Sequence, residues 1–229
     1  MRIGICIILT FISLMLSNYL SAKELNVKTL KSGGYLNELY IQELIKTKSP
    51  YSASLAGGYI LNAGVNHKED GSTIIGVSNF HEGIATLFFD QNGKYEGSYK
   101  QDYIALKILN HQSFIVNYDD GSEYRMLWVD DNIGVYITSV TISGLYSNKE
   151  GYYYTFTPEN IAKFPDKTFK FMLNLDFSDD DHSHENIPDC IINKSTKEII
   201  LFRINNDTLE LFNKSHQEPF IMLKKIKEE

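Results

Sequence analysis

The sequence predicts a mainly antiparallel all-β fold, a closed barrel or a β-sandwich carrying one N-terminal α-helix. Three observations predict it. Tyr and Phe number 15 and 13, and aromatic and β-branched side chains suit a pleated, half-buried surface. After Pro50 the apolar residues alternate with period two. Short runs of this kind are separated by Gly-, Asn- and Asp-rich turns, the pattern of a sandwich or barrel rather than a βαβ fold.

In chain order, the first segment reads as an address. Arg2 is followed by an apolar run from Ile3 to Leu16, then by Asn18 to Ala22 with small residues at its end. That order of charged, apolar and small-residue regions is a secretory signal peptide over residues 1–22. The expected location is therefore periplasmic or secreted. Leu20 is large for the position three residues before a cut after Ala22. Left uncut, the segment is an N-terminal membrane anchor. A spanning helix needs about 20 apolar residues, and this run turns polar at Ser17-Asn18, which favours cleavage. Cys6 lies inside the apolar run and no Cys follows it closely, a poor match to a lipoprotein.

Residues 23–229 then form one β-rich domain, with a seam at Val129–Gly134 where a subdivision would fall. Tyr35, Leu36, Leu39, Tyr40, Leu44 and Ile45 recur at helical spacing. Gly33-Gly34 precede this helix and Lys48-Ser49-Pro50 stop it. Beyond Pro50 the clearest strand is Phe169, Phe171, Leu173, Leu175 and Phe177, alternating with Lys170, Met172, Asn174 and Asp176. Asn92-Gly93 and Asp120-Gly121 each lie between two such runs, the signature of two-residue hairpins. Asp70-Gly71, Asn148 to Gly151 and Asn205-Asn206-Asp207 mark further turns.

Gly144-Leu145-Tyr146, followed by Tyr152-Tyr153-Tyr154-Thr155-Phe156, resembles the Gly-x-aromatic strand-turn-strand pattern of secreted lipocalin-like barrels. The resemblance covers about a dozen residues. It lacks a lipocalin's N-terminal Gly-x-Trp, the only Trp being Trp128. What it implies is architecture, a lipocalin-like barrel.

Charge and cysteine content narrow the function classes. The chain holds 22 Lys+Arg and 29 Asp+Glu, a net charge of −7. Arg2 is the only charged residue before Lys23, so the remainder carries −8. Moderate acidity with scattered Lys argues against nucleic acid and anionic lipid as partners. After residue 22 the only Cys is Cys190. With no intramolecular disulfide available, an exported fold must rest on its hydrophobic core. Cys190-Ile191-Ile192 reads as a buried strand. Asn193, Asn206 and Asn213 head Asn-X-Ser/Thr sequons.

Chemistry-bearing candidates are few. Arg125 and Arg203 sit in apolar strands, where a guanidinium can clamp a carboxylate or phosphate or cover an aromatic ring. With Trp128 and Tyr154 they are the candidate ligand-binding residues. Asn79, His81 and Glu82 form a polar cluster before Gly83. His81 is placed there as a general base, or Asn79 caps a tight turn. Asp179, Asp181 and His184 lie in an acidic stretch from Asp176 to Asp189. They offer oxygen and imidazole ligands to a divalent metal, without EF-hand spacing; otherwise the stretch is a solvated loop. Catalytic motifs such as Gly-x-Ser-x-Gly, His-Glu-x-x-His, a phosphate-binding Gly loop and Cys-x-x-Cys are absent.

The sequence therefore predicts an exported, non-catalytic barrel or sandwich protein with no cofactor, holding a small apolar ligand. The alternative is an interaction or structural module that docks another envelope or extracellular protein. A hydrolase with a site around His81 is third.

Overall fold

Turn residues set the topology. The computed structural model describes residues 26–100, 104–177, 189–213 and 218–227. In Lys68–Ser72, Asp90–Lys94, Tyr118–Ser122 and Asn148–Tyr152 the first N–H donates to the fifth carbonyl. The fourth residue is Gly with φ between 78° and 85°, and its N–H donates back to the first carbonyl. Thr157–Ile161 repeats the pattern with Asn160 at φ 64°. These are three-residue loops, a type I turn followed by a left-handed residue. Asn92-Gly93 and Asp120-Gly121 thus turn the chain as expected, but not as two-residue hairpins. In both, an aspartate holds the turn: Asp120 Oδ1 accepts from Ser122 N at 2.8 Å, and Asp90 Oδ1 from Asn92 N and Lys94 N, each at 2.8 Å.

Such turns join strands into two meanders. The first comprises β1 (Gly33–Asn37), β2 (Asn62–His67), β3 (Thr73–Ser78), β4 (Gly83–Phe89), β5 (Tyr95–Tyr99), β6 (Ala105–Asn110), β7 (Ser113–Asn117) and β8 (Glu123–Asp130). Its order is β5-β4-β3-β2-β1-β8-β7-β6. Every pair is antiparallel. The sheet curls round its own core of Tyr35, Val65, Ile75, Val77, Leu87, Phe114 and Met126, among others.

The second meander comprises β9 (Gly144–Ser147), β10 (Tyr153–Phe156), β11 (Ile161–Lys163), β12 (Thr168–Leu173), β13 (Cys190–Asn193), β14 (Ile199–Asn205), β15 (Thr208–Asn213) and β16 (Ile221–Lys225). Each strand pairs with the next, and β16 pairs with β9, giving a closed eight-stranded antiparallel barrel. The expected strand at Phe169 is β12. Phe169, Phe171 and Leu173 point into the core while Lys170 and Met172 face solvent. It ends at Leu173, four residues short of the alternating pattern.

Among the described residues three α-helices, not one, accompany the sheets: α1 (Glu38–Thr47), α2 (Pro50–Gly57) and α3 (Ile133–Val140). The expected helix begins later than its periodicity, because Tyr35 and Leu36 are strand residues of β1. Gly33-Gly34 also belong to β1. A Cβ on Gly34 would meet Ile133 Cγ1 at 2.3 Å, so the glycine is required where β1 passes α3. Asn37 starts α1. Its Oδ1 accepts from Leu39 N at 2.8 Å, and its Nδ2 donates to the carbonyls of Gly57 and Ile60. One buried Asn thus caps α1 and ties the end of α2 to it. Pro50 does not simply stop a helix; it opens α2, with Ser49 Oγ accepting from Ser52 N at 3.0 Å. Pro at the first helical position sacrifices an N–H that has no helical partner anyway.

The seam at 129–134 is where β8 ends and α3 begins, with Asn132 Oδ1 accepting from Val135 N. The two sheets are bridged by a shared core. Leu36, Tyr40, Leu44 and Ala53 from the first part pack with Ile137 of α3 and with barrel residues such as Phe156, Phe171 and Phe202. Cys190 is buried in β13, with Leu201 and Phe212 as neighbours. Among the described residues no helix is long and apolar enough to cross a membrane.

Candidate functional site

Strand directions give the barrel two unlike ends. At one end lie the start of β9, the end of β14, the start of β15 and the end of β16. Ile45 and Lys48 of the α1 region and Ser139, Val140 and Thr141 around the end of α3 stand over this end, with Tyr146, Ile204 and Lys225 below them. At the other end are the starts of β10, β12, β14 and β16, and among the described residues it is open. A cavity of about 390 Å³ sits there, walled by Tyr152, Tyr154, Phe164, Ile200 and Phe220, with Asp166, Lys167, Glu198 and Asn213 among its polar residues.

Alternation builds this mouth. Tyr154 and Phe156 face inward from β10, and the Phe164-Pro165-Asp166-Lys167 turn folds over the rim between β11 and β12. The rings form a continuous ladder into the barrel. Phe164 lies 5.2 Å from Tyr154, 5.3 Å from Phe169 and 5.9 Å from Phe156. Phe156 in turn lies 6.0 Å from both Phe171 and Tyr146. Such tilted contacts favour edge-to-face packing. They pack the barrel interior behind the cavity, so that the described open space is a bowl at the mouth. Lys167 pairs with Glu198 at 3.8 Å. Burial pushes the Tyr154 hydroxyl pKa up, helped by the charges of Asp166 and Glu150.

The helix-covered end has its own polar arrangement. Asp189, 6% exposed, accepts from Tyr51 N at 2.9 Å and from the Ser49 hydroxyl. It links the start of β13 to the start of α2, although the acidic stretch it belongs to reads as solvated. Burial pushes its carboxyl pKa up to about 6, against the opposing hydrogen bonds. Burial, and then Asp189, push the Tyr40 hydroxyl pKa up.

The residues singled out in the sequence are distributed as follows. Tyr154 lines the mouth. Arg203 is also on the barrel, but its Nε donates to Glu210 Oε2 at 2.7 Å and its guanidinium lies over Phe212 at 5.4 Å. Arg125 and Trp128 are on β8 in the other sheet. Arg125 pairs with Glu38 at 3.4 Å. Trp128 packs on the first core, donates to the Ser32 carbonyl and carries the Lys31 ammonium 3.2 Å above its ring. The four are thus not assembled in one place, and both arginines take the pairing or ring-covering role.

Asn79, His81 and Glu82 form the turn between β3 and β4. Asn79 Oδ1 accepts from His81 N and Glu82 N, which is the capped turn. His81 Nδ1 meets Asp176 Oδ2 at 2.9 Å across 95 residues, both half exposed. Its partner is a barrel-side acid rather than Glu82. Asp179, Asp181 and His184 lie outside the described residues. Among the described residues no three His, Cys, Asp or Glu side chains are grouped to hold a metal ion. Of the sequons, Asn193 is buried and its Oδ1 accepts from Ser195 N and Thr196 N.

Sequence reasoning missed Phe164, Asp166, Lys167, Glu198 and Phe220 as mouth residues. The available signal was an aromatic followed by Pro-Asp-Lys between two strands. Compared with protein-family models, with curated proteins and with solved structures, the chain matches none.

Proposed function

We propose that this chain is an exported, non-catalytic binding protein that holds a small, largely apolar ligand in the barrel mouth. The observation that carries the reading is the bowl of about 390 Å³ walled by Tyr152, Tyr154, Phe164 and Phe220. Ligand sites are concave, mostly apolar and about 300–1,000 Å³, with a few polar groups to orient the ligand. A closed up-and-down eight-stranded barrel is the architecture lipocalins use for such ligands. Export rests on residues 1–22; N-terminal sequencing that starts at Lys23 supports it, and a mature chain that retains Met1 contradicts it.

The test uses the neutral fluorophore N-phenyl-1-naphthylamine. Saturable binding is expected, and Tyr152→Ala with Phe220→Ala weakens it about tenfold or more, since each aromatic wall is worth about 1 kcal/mol. Binding untouched by both substitutions overturns the reading.

A second reading, docking of an envelope or extracellular protein, draws on the first sheet. Phe88 and Tyr99 are exposed together on the outer face beside edge strand β5. An exposed aromatic group on a sheet edge suits a protein partner. A second polypeptide co-purifying from the native host, and lost on Tyr99→Lys, favours this reading.

A further inference from the structure

Resting on the mouth as a ligand site, we propose that its ligand is an amphipathic organic cation: an apolar body that fills the bowl and an ammonium group that meets the aromatic and acidic rim. The mouth already accommodates an ammonium. Lys167 Nζ lies 5.6 Å from the Phe164 ring and 5.7 Å from the Phe169 ring, within cation–π reach. Tyr152, Tyr154 and Phe220 complete the aromatic wall.

Charge at the rim favours the same sign of ligand. Among the described residues, Asp166 and Glu198 line the cavity against one cation, Lys167. Lys167 is itself engaged by Glu198. Glu150, itself paired with Lys149 at 3.7 Å, and Asp166 both act on the Tyr154 hydroxyl. Among the described residues lining the cavity, two carboxylates thus stand against one ammonium. Among the described cavity residues an anionic amphiphile would have only Lys167 to meet, and would have to displace Glu198 to do so. A cation keeps that pair and finds Asp166 and the ring faces, whose quadrupoles are negative.

The experiment displaces N-phenyl-1-naphthylamine from the purified full chain with three probes of similar body. These are benzyltrimethylammonium, its uncharged carbon isostere neopentylbenzene, and 3-phenylpropionate. The cation is expected to displace the dye about tenfold more effectively than the isostere, the effect of a desolvated cation–π contact. The anion is expected to be the weakest. Asp166→Asn with Glu198→Gln is expected to reduce the cation-to-isostere ratio, read against the variant's own dye affinity, because a carboxylate and its amide are near-isosteric but differ in charge, while the ring faces remain. Equal displacement by cation and isostere, stronger displacement by the anion, or a preference left unchanged by the double substitution overturns the cation proposal while leaving the apolar site standing. Absence of dye binding in the unsubstituted chain overturns both.

Discussion

The two halves of the molecule are the same object at two degrees of completion. Each is an eight-stranded antiparallel meander whose last strand returns to its first, β8 to β1 and β16 to β9. The barrel is closed all round, whereas the first sheet is open between β5 and β6. The difference lies in what each strand offers the interior. Strand β12 supplies Phe169, Phe171 and Leu173, and β14 supplies Ile200 and Phe202. In β5, the residue opposite buried Leu87 is Ser98, and Tyr99 lies opposite Thr86 on the outer face. No residue of β5 is buried. A strand that contributes little apolar area to the core gains little from closing the ring. Closure in this chain therefore follows inward hydrophobicity more than strand number.

The largest expected effect breaks the better-packed half. Phe171→Ala, at the centre of the ring ladder, should cost about 3–5 kcal/mol in chemical denaturation. Tyr99→Ala on β5 should stay within about 0.5 kcal/mol. Similar losses from the two would remove the asymmetry. Next comes the helix-covered end. With its folded pKa raised to about 6, Asp189 binds its proton more tightly in the folded state. Stability from this residue is full below about pH 4 and falls as pH rises to about 6. Asp189→Asn keeps the acceptor for Tyr51 N and should remove that slope, gaining on the order of 2 kcal/mol at neutral pH. A slope between pH 4 and 6 unchanged in the variant would show that another group sets it.

Hydrogen exchange sharpens the comparison without mutation. Amides of β5 and β6 should exchange by local opening, and those of β14 and β15 only near global unfolding. Equal protection would mean that the gap in the first sheet costs nothing. The smallest effect is expected at Arg125. Its 3.4 Å pair with Glu38 is half exposed, so Arg125→Gln should change stability by less than about 1 kcal/mol, and less again at high salt.

Legibility in the sequence followed local chemistry. The β class, the turns at Asn92-Gly93 and Asp120-Gly121, the buried Cys190 and the core face of β12 are written in alternation and in turn residues. Helix α3 is not. Ile133-Gly134-Val135-Tyr136-Ile137 is rich in β-formers, and it is helical because Asn132 caps it and Ile137 finds the shared core. Tertiary contact overrode propensity there. Asn37 and the Ser49-Pro50 pair were readable helix starts that periodicity obscured, since Tyr35 and Leu36 fit a helical face by chance. Of the mouth, only Tyr154 was legible as a site residue. Phe164, Glu198 and Phe220 come from turns and strand ends up to 66 positions from it, and only barrel closure brings them to one rim. His81 and Asp176 show the same limit, because their pairing spans both sheets.

The central claim is that the closed barrel presents its open end to a ligand. Native mass spectrometry of the chain purified from its own host tests it most directly. The account predicts a stoichiometric small-molecule adduct that is retained by Tyr99→Ala and lost by Tyr152→Ala with Phe220→Ala. A bare mass, or an adduct indifferent to the mouth substitutions, would contradict it.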